Sequence, residues 1–386
     1  RQTHPAGAMT RHGLHTPITI VRPPVIEFGP GVVSRLAAWV KARNIRKALV
    51  VADAFNAARV DALDLGVETV VFGEVRPEPD LPNLEKVLDL AARSQADLIV
   101  GFGGGSAMDL AKLVSVMAGT GQRLQDIVGV GKAARRRVAL AQVPTTSGTG
   151  SEAGIRALVT DPETQAKLAV ESIEMLADIA VVDPALTMTV PPAVTAATGV
   201  DAMAHCVEAY TNKKAHPMID LYALEGVKLV GRYLARAVKD GSDVEARAGL
   251  SLASLYGGFC LGPVNTAGGH ALAYPLGTRW HIAHGAANAL IFPHVLAFNL
   301  PAAAEKTGHI LAALGLPEAN AVQDVFGSTH DYCAALGIEM RLSKLGVPQH
   351  DLETMADDAF AIRRLLDNNP RDLTRQDILS IYETAF

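Results

Sequence analysis

Asp201 and His205 stand four residues apart in TGVDAMAHCVEAY, a segment whose small and apolar residues recur with helical spacing. One helical turn puts the carboxylate and the imidazole on the same face. A second stretch, GGHALAYPLGTRWHIAHGAANALIFPHV from Gly268 to Val295, holds His270, His281, His284 and His294. His270 opens the apolar run ALAYPL, and His284 opens GAANALIF, a helical run that Pro293 is expected to end. An imidazole buried at such an edge needs a partner, and the neutral ring is the commonest protein ligand for transition metals. Asp201, His205, His270 and His284 therefore form a candidate site of one carboxylate and three imidazoles. That donor set suits Fe(II) or Zn(II) and not Ca(II), which takes oxygens. The chain has no Cys-X-X-Cys, which argues against a closed structural zinc site. Taken singly, each residue has an ordinary alternative: a cap for the Asp, a hydrogen-bonded core residue for each His. His294, just after Pro293, reads as structural.

Two further stretches suit an anion. GFGGGSAMDLAK, Gly101 to Lys112, joins an apolar strand to a helix. Gly103, Gly104 and Gly105 allow close backbone approach, and the helix start offers free N–H groups with Ser106 beside them. The pattern is neither G-x-G-x-x-G nor a Walker A loop, and a glycine run at such a turn also serves purely steric ends. PTTSGTGSE, Pro144 to Glu152, gathers Thr145, Thr146, Ser147, Thr149 and Ser151 after another strand, either as a second anion loop or as a polar surface loop. Asp53 ends the strand KALVVAD, where a carboxylate can hold ribose hydroxyls and repel a 2′-phosphate, or simply form a turn. Lys167, in the strand candidate QAKLAV, is within reach of a phosphate or ribose, or is merely exposed.

The elements that must position these residues fall into two textures. From Val25 short apolar runs (VIEF, KALVVAD, ETVVFGEV, ADLIVGFGGG, VALAQVPTT) alternate with amphipathic helices such as VVSRLAAWVKAR and LEKVLDLAARSQ. That alternation predicts an α/β domain with a mostly parallel sheet covered on both faces, of the dinucleotide-binding kind. The proline-rich DPALTMTVPPAV marks a boundary, with residues 16–186 before it and 187–386 after. Beyond it AVTAATGVDAMAHCVEAY, IDLYALEGVKLVGRYLARAV, VEARAGLSLASLYGGFC and HVLAFNLPAAAEKTGHILAAL all carry helical periodicity, predicting an all-α C-terminal domain with the two pairs of metal ligands on different helices. Thr374 and Asp377 form a capping pair for a last helix.

Composition bounds the function. At 386 residues, 49% apolar and 19% charged, the chain can bury large cores and is far from the disordered class. A net charge of −5, with no basic run beyond Arg135-Arg136-Arg137, argues against nucleic acid. No apolar run reaches membrane-spanning length, so no membrane partner is expected. Cys206, Cys260 and Cys333 are scattered among apolar residues, as expected for reduced thiols in a cytoplasmic protein. Residues 1–15 contain no apolar h-region and are set aside from the fold.

Together GGGSAMDLAK, PTTSGTGSE, GVDAMAHCVEAY and GHALAYPLGTRWHIAHGAANALIFPH resemble the iron-containing (group III) alcohol dehydrogenases, in order and from about residue 20 onward. The resemblance implies an N-terminal domain for NAD (NADP less readily), a helical C-terminal domain for one Fe(II) or Zn(II), and a small alcohol or aldehyde in the cleft between them. It implies that Asp201, His205, His270 and His284 are the metal ligands. Gly103, Gly104, Gly105, Ser106 and Asp109 fall in the pyrophosphate loop and Thr145, Thr146 and Thr149 in the second cofactor loop. Lys167 matches the cofactor-side lysine, and Asp53 an acid that favours NAD. The implied chemistry is hydride exchange between the carbinol carbon and nicotinamide C4, with a Lewis-acid ion on the substrate oxygen and protons passing by Tyr274, His281 or water. Phe259, Cys260, Leu261 and Trp280 suggest an apolar substrate pocket, and a homo-oligomer, dimer or larger, is expected. Two departures stand out. Tyr274 replaces a frequent family His, and its reference pKa near ~10 makes it a poor neutral-pH base. Glu78-Pro79 replaces an Asn-Pro, putting an acid near the cofactor phosphates. The rival readings are a lyase resembling dehydroquinate synthase, against which Arg279 alone stands for that family's basic cluster, and a metal-free relative resembling maleylacetate reductase, against which all four ligands stand.

Overall fold

Alternate residues of a single strand, Lys47–Val51, go to different cores: Leu49 and Val51 to one, Ala48 and Val50 to the other. A strand buried on both faces must lie inside a sheet covered on both sides, and its near-continuous apolar run says the same. The computed structural model describes residues 13–386. Its first unit, Val21–Val190, contains strands β1 (Val25–Phe28), β2 (Lys47–Val51), β3 (Glu68–Phe72), β4 (Leu98–Gly103), β5 (Gly129–Val130), β6 (Ala139–Pro144), β7 (Arg156–Asp161), β8 (Ala166–Glu171) and β9 (Ile179–Val182). Helices α1 (Leu36–Ala42), α2 (Ala54–Ala57), α3 (Leu81–Ser94), α4 (Gly105–Met117) and α5 (Leu124–Ile127) join them.

The main sheet is parallel throughout, in the order β1-β9-β6-β4-β2-β3. From β2 the chain steps outward to β3, then crosses back past β2 to β4 and on to β6. The reversal falls between β2 and β4, and in open α/β sheets ligands bind off the carboxyl ends of the strands at such a point. Asp53 follows β2 there, and the glycine run follows β4. A smaller sheet, β5-β8-β7, adds an antiparallel β7–β8 hairpin. Neither β7 nor β9 stands out in the sequence, since each is a short run close to a turn or a proline.

The second unit is Pro191–Phe386 together with the segment ending at Ile20. It comprises α6 (Pro192–Thr211), α7 (Pro217–Lys239), α8 (Val244–Leu261), α9 (Gly268–Trp280), α10 (His284–Asn299), α11 (Ala304–Ala313), α12 (Val322–Ala335), α13 (Leu352–Phe360), α14 (Arg363–Leu366) and α15 (Arg375–Ala385). The division lies at Val190/Pro191, four residues past the position 186 read from the prolines, and residues 16–20 go with the helices rather than the sheet. The reason is packing: Ile18 and Ile20 lie against the helical core, and the Thr16 carbonyl meets His216 Nε2 at 3.1 Å. α6 is buried from Thr195 to Thr211 on nearly every side, which is why its apolar pattern lacks a polar stripe. Two expectations change. Pro293 does not end α10, which continues to Asn299; a proline costs one backbone bond and some strain, and a helix held by burial absorbs it. The run HVLAFNLPAAAEKTGHILAAL is not one helix, because Pro301 and a non-helical Ala303 (φ −143°) separate α10 from α11. α15 carries the expected box, with Thr374 and Asp377 each accepting the other's backbone N–H.

Candidate metal centre and cofactor loops

α6 presents Asp201 and His205 one turn apart; α9 brings His270 at its third residue and α10 brings His284 at its first. One ligand atom from each lies within 4.8 Å of the others. Asp201 Oδ1 is 3.7 Å from His205 Nε2, 3.5 Å from His270 Nε2 and 3.5 Å from His284 Nε2. Donors about 2.1 Å from a tetrahedral ion are about 3.4 Å apart, so the spacing fits. Asp201 Oδ1 and His270 Nε2 are buried and make no hydrogen bond, a costly condition that a cation relieves. The chemistry of the set, one hard anionic oxygen and three imidazoles, fits Fe(II) or Zn(II).

Charge in the ion-free site follows from burial set against its neighbours. Burial holds His205 down to about 4, so its ring is neutral and ready to ligate. Burial would also lower His270, but the carboxylates of Glu208 and Asp201 outweigh it and push that ring up to about 10. Burial opposes the Asp201 charge as well, yet the three imidazoles hold its carboxyl well below the usual range. Without an ion, a proton on His270 takes the cation's place.

Glu208 is the functional residue that the ligand pattern passes over. It lies three residues after His205 in α6, buried, and its Oε2 accepts from His270 Nδ1 at 2.5 Å. Its Oε1 accepts the backbone N–H of Ala267 and of His270, each at 3.0 Å, so the carboxylate also caps the first turn of α9. Gly269 makes room for it: a Cβ there would lie 3.0 Å from the carboxyl carbon. Carboxylate–histidine pairs of this kind fix the tautomer and orientation of a ligating ring. The signal in the sequence is an acidic residue inside an otherwise apolar helix, which needs a buried partner.

The other expected residues have varied surroundings. Tyr274 is buried one turn after His270 on α9, on the same side. His281 is exposed at the left-handed C-cap of α9 (φ 53°) and is not among the four grouped donors. His294 is buried against Phe326, and burial lowers it to about 4, in keeping with a structural part. Phe259 packs on Tyr222 and Tyr256, Cys260 lies in the helical core, and Trp280 Nε1 donates to Asp351 Oδ2 at 2.6 Å. Arg279 is paired with Asp358.

In the sheet unit the two anion-suited loops touch. The Thr145 N–H donates to the Gly103 carbonyl at 2.9 Å, and Gly104 lies against Thr146. A Cβ on Gly105 would meet Thr149 Cγ2 at 2.5 Å, so only glycine permits this spacing. No side chain caps α4, which leaves the N–H groups of its first turn, with Ser106 among them, to a ligand. Asp109 is used internally: it accepts from the Ser151 hydroxyl (2.7 Å) and the Leu158 N–H (3.1 Å), and faces the buried Lys112 ammonium at 3.8 Å. Its part is therefore to hold the second loop and β7 against α4. Asp53 caps α2, its Oδ1 accepting from Asn56 N at 2.8 Å and Asn56 Nδ2 at 3.0 Å. Lys167 pairs with Glu78.

A doubly wound sheet of the nucleotide-binding kind and a helical unit that gathers one carboxylate and three imidazoles define an α/β-plus-helical protein with a candidate metal centre. A family model for iron-containing alcohol dehydrogenase matches residues 23–184, and one for the C-terminal part of the Fe-containing alcohol dehydrogenase family matches residues 195–386. The chain belongs to the iron-containing alcohol dehydrogenase family. It is 37% identical over 382 residues to long-chain-alcohol dehydrogenase 1 of Geobacillus thermodenitrificans strain NG80-2, covering 95% of this chain and 96% of the relative. It is 32% identical over 375 residues to the NAD-dependent methanol dehydrogenase of Bacillus methanolicus, covering 94% and 98%. A crystal structure of 1,3-propanediol oxidoreductase matches with a TM-score of 0.90 at 32% identity, over 96% of this chain and 100% of that one. Among the described residues no helix is long and apolar enough to cross a membrane.

Proposed function

We propose that this protein interconverts a small primary alcohol and its aldehyde with NAD(H), with one Fe(II) or Zn(II) held by Asp201, His205, His270 and His284. The observation that carries this reading is the buried cluster of four donors, two of whose atoms have no other partner. When bound, such an ion supplies Lewis acidity, lowering an alcohol's pKa and polarising a carbonyl. The chain supplies the rest. Asp201 is the anionic donor, burial keeps His205 neutral, and Glu208 keeps the His270 proton on Nδ1 so that Nε2 is a lone-pair donor. The Gly104–Thr146 and Gly105–Thr149 contacts shape a cradle for the dinucleotide phosphates at the start of α4. Asp53, at the end of β2, selects NAD over NADP. Tyr274 serves as a hydrogen-bond partner, and protons exchange with solvent rather than through a dedicated base. The free, buried cysteines support a cytoplasmic setting, and exposed Met218 and Leu221, a turn apart on α7, support a homo-oligomer.

Anaerobically purified protein, assayed for metal content and for NADH formation with primary alcohols from methanol upward, tests the reading. His270→Ala and His284→Ala are expected to lose metal and turnover together. Full turnover in metal-stripped protein overturns the metal's role, and the absence both of NADH formation with any alcohol and of NADH consumption with any aldehyde overturns the reaction class.

A further inference from the structure

The connection from β3 to α3 passes back across the end of β2, the Val75 N–H donating to the Ala52 carbonyl at 3.1 Å, and so runs along the same carboxyl edge as Asp53. It then joins the small sheet: Thr160 of β7 donates to the Pro79 carbonyl at 2.9 Å, and Asp80 bridges Thr160. In the β7–β8 register the residue opposite Thr160 is Lys167. The backbone thus places Glu78 beside Lys167, and their side chains form an ion pair with only 18% and 8% exposure. Glu78 sits at φ 51°. Left-handed backbone favours glycine and asparagine and is poorly suited to glutamate. A residue poorly suited to the local backbone therefore stands here, and the carboxylate's pairing with Lys167 is its visible return.

We propose that Glu78 is a specificity-determining residue that sets cofactor affinity by neutralising Lys167, keeping this chain's hold on its anionic dinucleotide loose. This rests on the reading of Lys167 as the cofactor-side lysine. Where a neutral amide beside that lysine would leave a full positive charge toward the phosphates, the carboxylate cancels it at close range and behind protein, where salt screens poorly. The dinucleotide is then held by the backbone N–H groups and hydroxyls of the two loops, and reduced cofactor leaves more readily.

Calorimetric titration of the full-length, zinc-loaded protein with NADH tests the proposal without reference to turnover. Glu78→Asn is expected to tighten NADH about tenfold at low ionic strength, the gain shrinking as salt nears ~1 M. Glu78→Gln, which keeps the side-chain length, is expected to do the same. Lys167→Met leaves the carboxylate uncompensated and is expected to weaken NADH about tenfold, with the Glu78→Gln/Lys167→Met pair back near the parent. Parental or weaker affinity in both Glu78 variants, with Lys167→Met still weakening NADH, overturns the proposal while leaving Lys167 on the cofactor side. If Lys167→Met also binds as the parent does, the placement of Lys167 falls and the proposal with it.

Discussion

Replacing Glu208 separates its two duties. In Glu208→Ala the N–H groups of Ala267 and His270 and the ring N–H of His270 all lose their acceptor inside the protein. At about 1–3 kcal/mol for each stranded buried donor, the cost is roughly 3–9 kcal/mol, comparable with the whole stability of a domain. That variant is expected to fold poorly and says little about the metal. Glu208→Gln is the sharper perturbation. Its single carbonyl oxygen is claimed by the two backbone N–H groups that Oε1 now accepts, since turning it round would set an NH2 against both. The amide then faces His270 Nδ1 as a donor, so Nδ1 must become the acceptor and the ring proton moves to Nε2, the atom aimed at Asp201 3.5 Å away. A ligand nitrogen carrying a proton cannot bind a cation, and restoring the tautomer means breaking the cap. We expect metal affinity to fall about 10–100-fold, or about 1.4–2.8 kcal/mol, and the ion-free protein, whose protonated His270 loses its carboxylate partner, to melt somewhat lower. Competition for Zn(II) against a chromogenic chelator measures the first, and calorimetric melting the second. A Glu208→Gln protein that binds zinc as tightly as the parent refutes the tautomer argument. One that melts far lower shows that the pairing of the Glu208 carboxylate with His270, which Gln removes while keeping the cap, carries the stability of the ion-free fold.

Gly105→Ala would place a Cβ 2.5 Å from Thr149 Cγ2 and 2.9 Å from its Oγ1, forcing the two cofactor loops apart. We expect about 1–3 kcal/mol of strain and a weaker NADH complex by titration; unchanged NADH affinity would show that the loops do not jointly hold the cofactor. Burial raises the Glu152 carboxyl from its ordinary 4.5 to about 7, against the opposing pull of its own backbone and Lys112. A folded-state value above the unfolded one means that protonation favours folding, so this group's stabilisation is full below about 4.5 and is lost as pH rises through about 7, by about 3 kcal/mol. Glu152→Gln should flatten that decline in urea titrations between pH 5 and 8; parallel profiles for the two proteins would contradict it. Tyr274→Phe should keep turnover at neutral pH within a few-fold, because a phenol near ~10 holds its proton there; a loss of 100-fold or more would make Tyr274 a true proton carrier.

What could be read from the sequence follows the range of the forces involved. Asp201 and His205 share one helix, so their spacing alone puts them side by side, and the strands of the α/β half declare themselves because burial on both faces leaves short apolar runs between turns. The approach of His270 and His284 to that pair depends on how α9 and α10 pack on α6, which no local pattern encodes; only the residue types and the family resemblance hinted at it. The misreadings came from giving a local rule the last word. Pro293 reads as a helix end, but the buried setting of α10 overrides it. The pairing of Glu78 with Lys167 escaped local reading for another reason, since the two lie 89 residues apart.

Glu208 shows most plainly what local reading misses, and why the site is not separable from the fold. The same carboxylate satisfies the first turn of α9 and the ring of His270, so α9 cannot dock on α6 with its N-terminus satisfied unless His270 is oriented at the same time. Gly268 and Gly269 complete that arrangement: side chains there would collide with Asn369 and with Glu208. A ligand 65 residues beyond His205 is thereby tied to the helix of the Asp201–His205 pair, two of the three hydrogen bonds being its own and the third that of Ala267. An ion entering the site finds His270 already turned toward it, and its binding energy goes into displacing a proton rather than into ordering a side chain.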